Sequence, residues 1–456
     1  MKRSGTQTCE SCGTSGTMPP PGPNETDWIV QVNESLDREL PPSDQQQHWG
    51  KRSIYKVRSC IADLNHKAYQ PQVVSFGPYH HGEAHLLPME EHKHRALCRF
   101  LKRSGKRLEP FLDSLREVAQ ALQESYDALD PTWKVGSSEG AAGQFLKVMI
   151  TDGCFLLEIL RTATQVDGYA VNDPIFSDHG KLHIMPYIER DMLMLENQLP
   201  MLVLDRLVTV EGDGEKGDKF INSLILDFFD PSGTLSNDIG KCLHVLDVYR
   251  KSLLFPKEKP EKKKVKSNEV PPKLCGETIW SATKLHEHGI RLRKSGTSSL
   301  KDVSFDSGVL RLPLIEVHDT TESAYLNLIA FEHFHVGAGN EVTSYICLMD
   351  NIIDKGQDVT LLHAKGIVEN HMESDEAAAK LFNSLANCVM LDTNSSLRDV
   401  INRVREYCKK RRHKWRANLI HTYFRNPWVI LSLIAAVLLF ALTIIQTVYS
   451  ALGYNK

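Results

Sequence analysis

Residues 428–449 (WVILSLIAAVLLFALTIIQTVY) carry no charged side chain. As a helix this run reaches about 33 Å, enough for a hydrocarbon core of ~30 Å. A lone segment in lipid satisfies its backbone only as a helix, so the run predicts one transmembrane span. Asn426 suits its N-cap, and Pro427 its first turn, where a missing N–H costs nothing. Trp428 and Tyr423 mark one interface, Tyr449 and Tyr454 the other. The rest of the chain must then fold as a domain preceding an anchor.

Charge orients that anchor. Lys409, Lys410, Arg411, Arg412, Lys414 and Arg416 precede the run, and only Lys456 follows it. The positive-inside rule places the preceding domain in the cytosol. The first residues, MKRSGTQTCESCGTSGTMPPPGPNE, hold no apolar stretch of the signal-peptide kind, so a tail-anchored, single-pass protein is expected. In the cytosol the ten cysteines are expected to be free thiols, and the sequons at Asn24, Asn33 and Asn394 unused. A net charge of −3 gives no argument for nucleic acid. The basic run favours the anionic cytosolic leaflet as a lipid partner.

Periodicity predicts a mainly α protein with small β elements, an α+β class. Residues 1–24 read as disordered, 25–396 as one helical domain, and 256–273 (PKEKPEKKKVKSNEVPPK) as a basic disordered insertion. Residues 397–426 read as a basic amphipathic juxtamembrane segment, 427–450 as the membrane helix and 451–456 as a short tail. Thr26 and Asp27 suit the cap of a first helix carrying Trp28, Ile29, Val32 and Leu36. Short strands are expected at 54–57 and 73–76, and a hairpin around Asp306-Ser-Gly308. Helices are expected at 89–101, 108–129, 143–160, 187–207 (kinked or divided by Pro200), 220–229, 243–254, 278–285, 325–334, 342–353, 359–368 and 374–389.

Candidate chemistry is sparse. His80, His81, His85, Glu90, Glu91, His92 and His94 form the densest polar cluster, but without H-E-x-x-H or facial-triad spacing they read as loop and helix-surface residues. Cys9-Glu-Ser-Cys12 is one pair where zinc needs four ligands. Cys408, near the anchor, is a candidate for lipidation. Residues 212–219 (GDGEKGDK) fit neither a phosphate loop nor a calcium loop. Asp152, Glu158, Asp191 and Glu196, with Asn197 and Gln198, stand inside apolar runs. Buried carboxylates can do acid–base work, which leaves an enzyme as the alternative reading. The leading expectation is that they cross-link buried helices, because buried polar groups need partners. No catalytic or cofactor signature occurs.

The phrases IYKV from Ile54, SFGPYHHG from Ser75, Met89-Glu-x-x-Lys93, DGCFLLE from Asp152, DMLMLENQLP from Asp191, NLIAFE from Asn327, VTSYI from Val342 and Pro427-Trp428 before the apolar run resemble the plant family called domain of unknown function 247. The likeness extends over roughly residues 25–453. It implies a plant protein with a C-terminal membrane helix and no established catalytic activity or cofactor. For some grass members it implies a role in gametophytic self-incompatibility. It supplies no functional residues to carry over. Protein partners in signalling or recognition are the expectation that follows.

Overall fold

Helices dominate the computed structural model, which describes residues 23–37, 50–63, 65–133, 141–163, 168–212, 214, 217–230, 239–255, 280–386, 397–410 and 427–453. The Cys9/Cys12 pair, the 256–273 insertion, and Asn394, Arg411, Arg412, Lys414 and Arg416 lie outside them. Contacts divide the chain into two units, Met1–Gly50 and Lys51–Lys456. The first unit holds α1 (Pro23–Asp37), with Trp28, Ile29, Val32 and Leu36 exposed. Its start is Pro23 rather than a Thr26 or Asp27 cap, since proline suits a first turn.

In the second unit the chain runs through α2 (Ser59–Ala62), α3 (Pro88–Ser104), α4 (Leu108–Glu117), α5 (Ala119–Glu124) and α6 (Ala141–Arg161). It continues through α7 (Asp178–His183), α8 (Met185–Met192), α9 (Met201–Glu211), α10 (Asp218–Phe229) and α11 (Val245–Leu254). The single helix expected over 108–129 is interrupted at Val118, which leaves helical geometry with φ −112°. Pro200 divides its region as expected, and α9 begins at the next residue.

Helix α6 is the hub. It is apolar on nearly every side, and Phe145, Met149, Phe155, Leu157 and Leu160 are fully buried. It packs against α3, α4, α9 and α10. Gly153 permits a close approach to α9: a Cβ there would stand 2.6 Å from Leu207 Cδ1. Helix α11 is capped by His244, whose Nδ1 accepts from the Asp247 N–H and whose Nε2 donates to the Ser53 carbonyl. That pair of contacts requires the neutral ring, and burial pushes its pKa down to about 4.

The second half adds α12 (Ala282–Glu287), β1 (Arg291–Lys294), β2 (Ser304–Asp306), β3 (Val309–Leu312) and β4 (Ile315–Val317). Then follow α13 (Thr321–Phe334), α14 (Glu341–Ile352), α15 (Gly356–Ala364), β5 (Val368–Asn370), α16 (Asp375–Ala386), α17 (Arg398–Lys409) and α18 (Pro427–Gly453). Strands β2 and β3 form the expected hairpin, in register Ser304 to Arg311 and Asp306 to Val309. Strand β1 adds to β3 in parallel, giving the order β1-β3-β2, and β4 pairs with β5. One apolar core runs through both halves, from Ile54 to Cys408.

Two expectations about strands fail. Ile54 makes a single bridge to Tyr126, and residues 73–76 join no sheet. The Ile54 N–H goes to the Ser125 carbonyl, and the amides of Val57, Val73, Val74 and Phe76 are taken by side chains. The juxtamembrane segment also differs from expectation. Leu397, Val400, Val404 and Cys408 are buried in the domain core, and Tyr407 packs edge-on to Phe305 at 5.6 Å. The stripe on α17 therefore covers protein, and Cys408 is shielded from modification, its thiol pushed up to about 11 by burial. Lys409 and Lys410 are exposed just beyond it. Among the described residues Cys60, Cys98, Cys154, Cys347 and Cys408 are free thiols.

The helix expected at the C-terminus is present as the 27-residue α18, and its described apolar side chains, Tyr449 included, are exposed. Its side chains are described at 431–432 and 434–450. Among the described residues no helix is long and apolar enough to cross a membrane. That the full α18, with Pro427 and Trp428, spans a bilayer rests on the sequence alone.

If α17 is part of the core, Val404→Asp should destabilise the Lys51–Lys410 domain by more than about 3 kcal/mol, the penalty for an unpaired buried charge. Denaturant unfolding of that domain measures it. A change under about 0.5 kcal/mol would mean that α17 is peripheral.

Candidate functional site

The segment 65–82 is largely irregular, so its buried amides need partners from elsewhere. The junction between α8 and α9 supplies them. Asp191, fully buried, accepts from the N–H groups of Gln72, Val73 and Val74 at 2.7 to 3.0 Å. Asn197 Oδ1 accepts from the Phe76 N–H at 2.6 Å, and its Nδ2 donates to the carbonyls of Val74 and Asp191. Asp152, on α6, accepts from the Gly77 N–H at 2.8 Å. Gly77 has φ +76°, and a Cβ there would meet Tyr126 Oη at 2.7 Å, so only glycine fits.

The same junction is braced on its other sides. Gln198 donates to the carbonyls of Met192 and Met194 and accepts from the Leu246 N–H. Asn327, on α13, accepts from the Leu195 N–H and donates to the Ala68 carbonyl. Glu196 accepts from the Val57 N–H at 2.7 Å. Further along α13, Glu332 pairs with Arg250 at 2.7 Å and accepts from the first amides of α14, Val342 and Thr343. Asp152, Asp191, Asn197, Gln198 and Asn327, which stand in three separate sequence phrases, thus belong to one buried seam.

Lys93 completes it. Its ammonium is fully buried, 2.8 Å from Asp152 and 2.7 Å from Glu90, and it donates to Ser75 Oγ at 3.1 Å. Burial pushes Asp152 up from the ordinary carboxylate value, against the pull of Lys93 and the Gly77 amide. Burial likewise raises Asp191, against the amides of Val73, Val74 and Gln72 and the charge of Arg190. Glu158 lies in a different cluster, bound by Arg103, Arg161 and the Tyr169 hydroxyl. Each of the four carboxylates is committed to its own donors. None lines the groove of about 420 Å³ bordered by Val73, Met89, Ile175, Ile184 and three histidines.

The histidines separate. His80 is buried, contrary to expectation, with Nδ1 2.7 Å from Glu83 and Nε2 3.4 Å from Glu196. Burial disfavours its charged form, but Glu196 and Glu83 outweigh burial and hold His80 above 6.5. His81 packs edge-on to Trp133. His85 faces the Pro71 carbonyl at the rim of the groove, with His92 and His179. His94 and Glu91 are exposed on α3. Among the described residues no group of three or more His, Cys, Asp or Glu is placed to hold a metal.

Residues 54–442 match the family model DUF247, described as "Plant protein of unknown function". The UPF0481 protein At3g47200 of Arabidopsis thaliana is 32% identical over 431 residues, covering 89% of this chain and 88% of that protein. The putative UPF0481 protein At3g02645 of the same plant is 23% identical, covering 93% and 94%. No solved structure matches the chain significantly.

Two outcomes test the seam. Removing one partner of a buried ion pair leaves the other charge stranded, so Lys93→Met should cost about 3–5 kcal/mol in denaturant unfolding. Glu90→Gln, at the half-exposed end, should cost less than about 1 kcal/mol. Similar losses for both would remove the buried pair from its central place.

The raised pKa of His80 gives a pH signature. Its stabilisation is full below 6.5, the unfolded value, and is lost as pH rises through the higher folded value. His80→Gln should therefore lower Tm more at about pH 6 than at about pH 9. Equal losses at both would mean that His80 is not held charged by its two carboxylates.

Proposed function

The chain belongs to this plant family of unknown function, and from that premise we propose a single-pass, tail-anchored membrane protein whose helical domain faces the cytosol as an interaction or signalling module. The observation that carries the reading is α18: 27 residues from Pro427 to Gly453 without one charged side chain. At ~1.5 Å per residue it reaches about 40 Å, beyond a hydrocarbon core of ~30 Å and long enough to accommodate tilt. The exposure of Leu438, Phe440, Leu442 and Ile445 on it fits lipid as their medium. The basic residues 409–416 on one side against Lys456 alone on the other favour the cytosolic orientation.

An interaction role, rather than a reaction, is supported by the seam. Its carboxylates are occupied by amides and cations that hold the domain together, which leaves a stable scaffold whose surfaces are free to meet partners. Recognition of the self-incompatibility kind, implied by resemblance for some grass relatives, is one use such a module would serve.

Alkaline carbonate extraction of membranes carrying the full chain should leave it in the pellet, and a chain ending at residue 426 should be released. Protease added to intact vesicles should digest the domain and spare a C-terminal epitope. Release of the full chain, or protection of the domain, would overturn the anchor or its orientation.

A further inference from the structure

A second cavity, of about 550 Å³, lies at the open edge of β1. Its lining includes Arg291, Arg293 and Lys294 from β1, Lys365 after α15 and His286 from α12. Among the described residues no carboxylate lines it. Among the described residues none of these four Arg and Lys side chains is in an ion pair, whereas the buried cations Lys93 and Arg250 both are. Cations gathered around one cavity without a carboxylate partner give it a positive potential that attracts an anion.

The backbone contributes as well. Arg291 and Ser295 donate to the carbonyls of Gly308 and Leu312 on the β3 side. Strand alternation therefore turns the N–H groups of Leu292 and Lys294 to the open edge, where the cavity lies. Guanidinium forks beside outward N–H groups are the donor set suited to phosphoryl oxygens. This open cavity, with its cations set over four residues of β1 and Lys365, suits a small polyanion rather than a nucleic-acid strand, which is tracked by an extended basic groove.

The position favours a ligand at a membrane. Gly308, which accepts from the Arg291 N–H, lies under Tyr407 of α17, two residues before Lys409. The 16 residues from 411 to 426 then lead to α18. Fully extended they reach at most about 60 Å, so the cavity stays within that tether of the anchor.

We propose that this cavity is a binding site for a small phosphate-ester polyanion, of the inositol-phosphate headgroup class, held by Arg291, Arg293, Lys294 and Lys365; its use at a bilayer rests on the anchor reading above. The chemistry is shared by a phosphoinositide headgroup and a soluble inositol phosphate, so both are tested.

The full chain in neutral detergent is titrated calorimetrically with inositol 1,4,5-trisphosphate and with dioctanoyl phosphatidylinositol 4,5-bisphosphate. The wild type should bind, and Arg293→Glu with Lys365→Glu should weaken binding at least about tenfold. Arg411→Glu with Arg412→Glu should change trisphosphate binding by less than about threefold, because neither residue is among the four assigned to hold the ligand. If the charge reversals lower Tm, Arg293→Gln with Lys365→Gln replaces them, with a loss of at least about fivefold expected. Equal affinity for the two probes identifies a soluble ligand, and a much tighter lipid identifies a headgroup. Either supports the site. No binding of either probe, unchanged affinity in the cavity variants, or an equal loss in the 411/412 variant overturns it. A chain released by carbonate that still binds trisphosphate would remove the anchor and leave the site standing.

Discussion

The buried carboxylate of Asp191 does the work that a strand partner would do elsewhere. Three consecutive amides, at residues 72–74, converge on it, and Asn197 and Asp152 take the next ones at Phe76 and Gly77. An irregular segment can be buried only if its amides are satisfied, and here side chains from α6, α8 and the segment between α8 and α9 satisfy them. Removing one such acceptor strands several donors at once, so the seam is cooperative in a way that single apolar contacts are not. The second half of the domain joins it through Asn327, which reaches both Leu195 and Ala68.

Much of this is legible in the sequence, for a definite reason. Asp152, Glu158, Asp191 and Asn197 stand inside apolar runs, and a polar residue there must find a partner. Long helices such as α6 and α13 are legible from their apolar content. Lys93 is missed because a lysine on a basic helix reads as surface. Yet Met89, Ala96, Leu97 and Phe100 put it on the buried stripe of α3, and that spacing is the signal that finds it. The strand expected at 73–76 fails because a β-like composition does not say where the amides go. Strands β1, β4 and β5 are three or four residues long, too short for periodicity to show.

The stripe on α17 carries a related lesson. Amphipathicity says that one face of a helix is covered, without saying what covers it. Beside a basic run and an apolar helix, Val400, Val404 and Cys408 invite a membrane reading, but the domain core covers them. The folded unit therefore extends to Lys410, and any anchor is joined to it by 16 residues rather than by thirty. Charge is partitioned accordingly. The buried Lys93 and Arg250 are paired with carboxylates, and the Arg and Lys side chains of the β1 edge, which have no ion-pair partner among the described residues, stand on the sheet that α17 packs against. The helix expected at 108–129 shows the opposite failure: it breaks at Val118 without a proline or glycine, although Leu115 and Leu122 on either side of the break are both fully buried.

Native-state hydrogen exchange tests most directly whether the Asp191 seam holds the domain together. The amides of Val73, Val74, Phe76 and Gly77 should exchange only through global unfolding, with protection equal to that of the core amides of α6 despite belonging to no helix or sheet. Exchange of those four through local openings, several kcal/mol below the global value, would contradict the account.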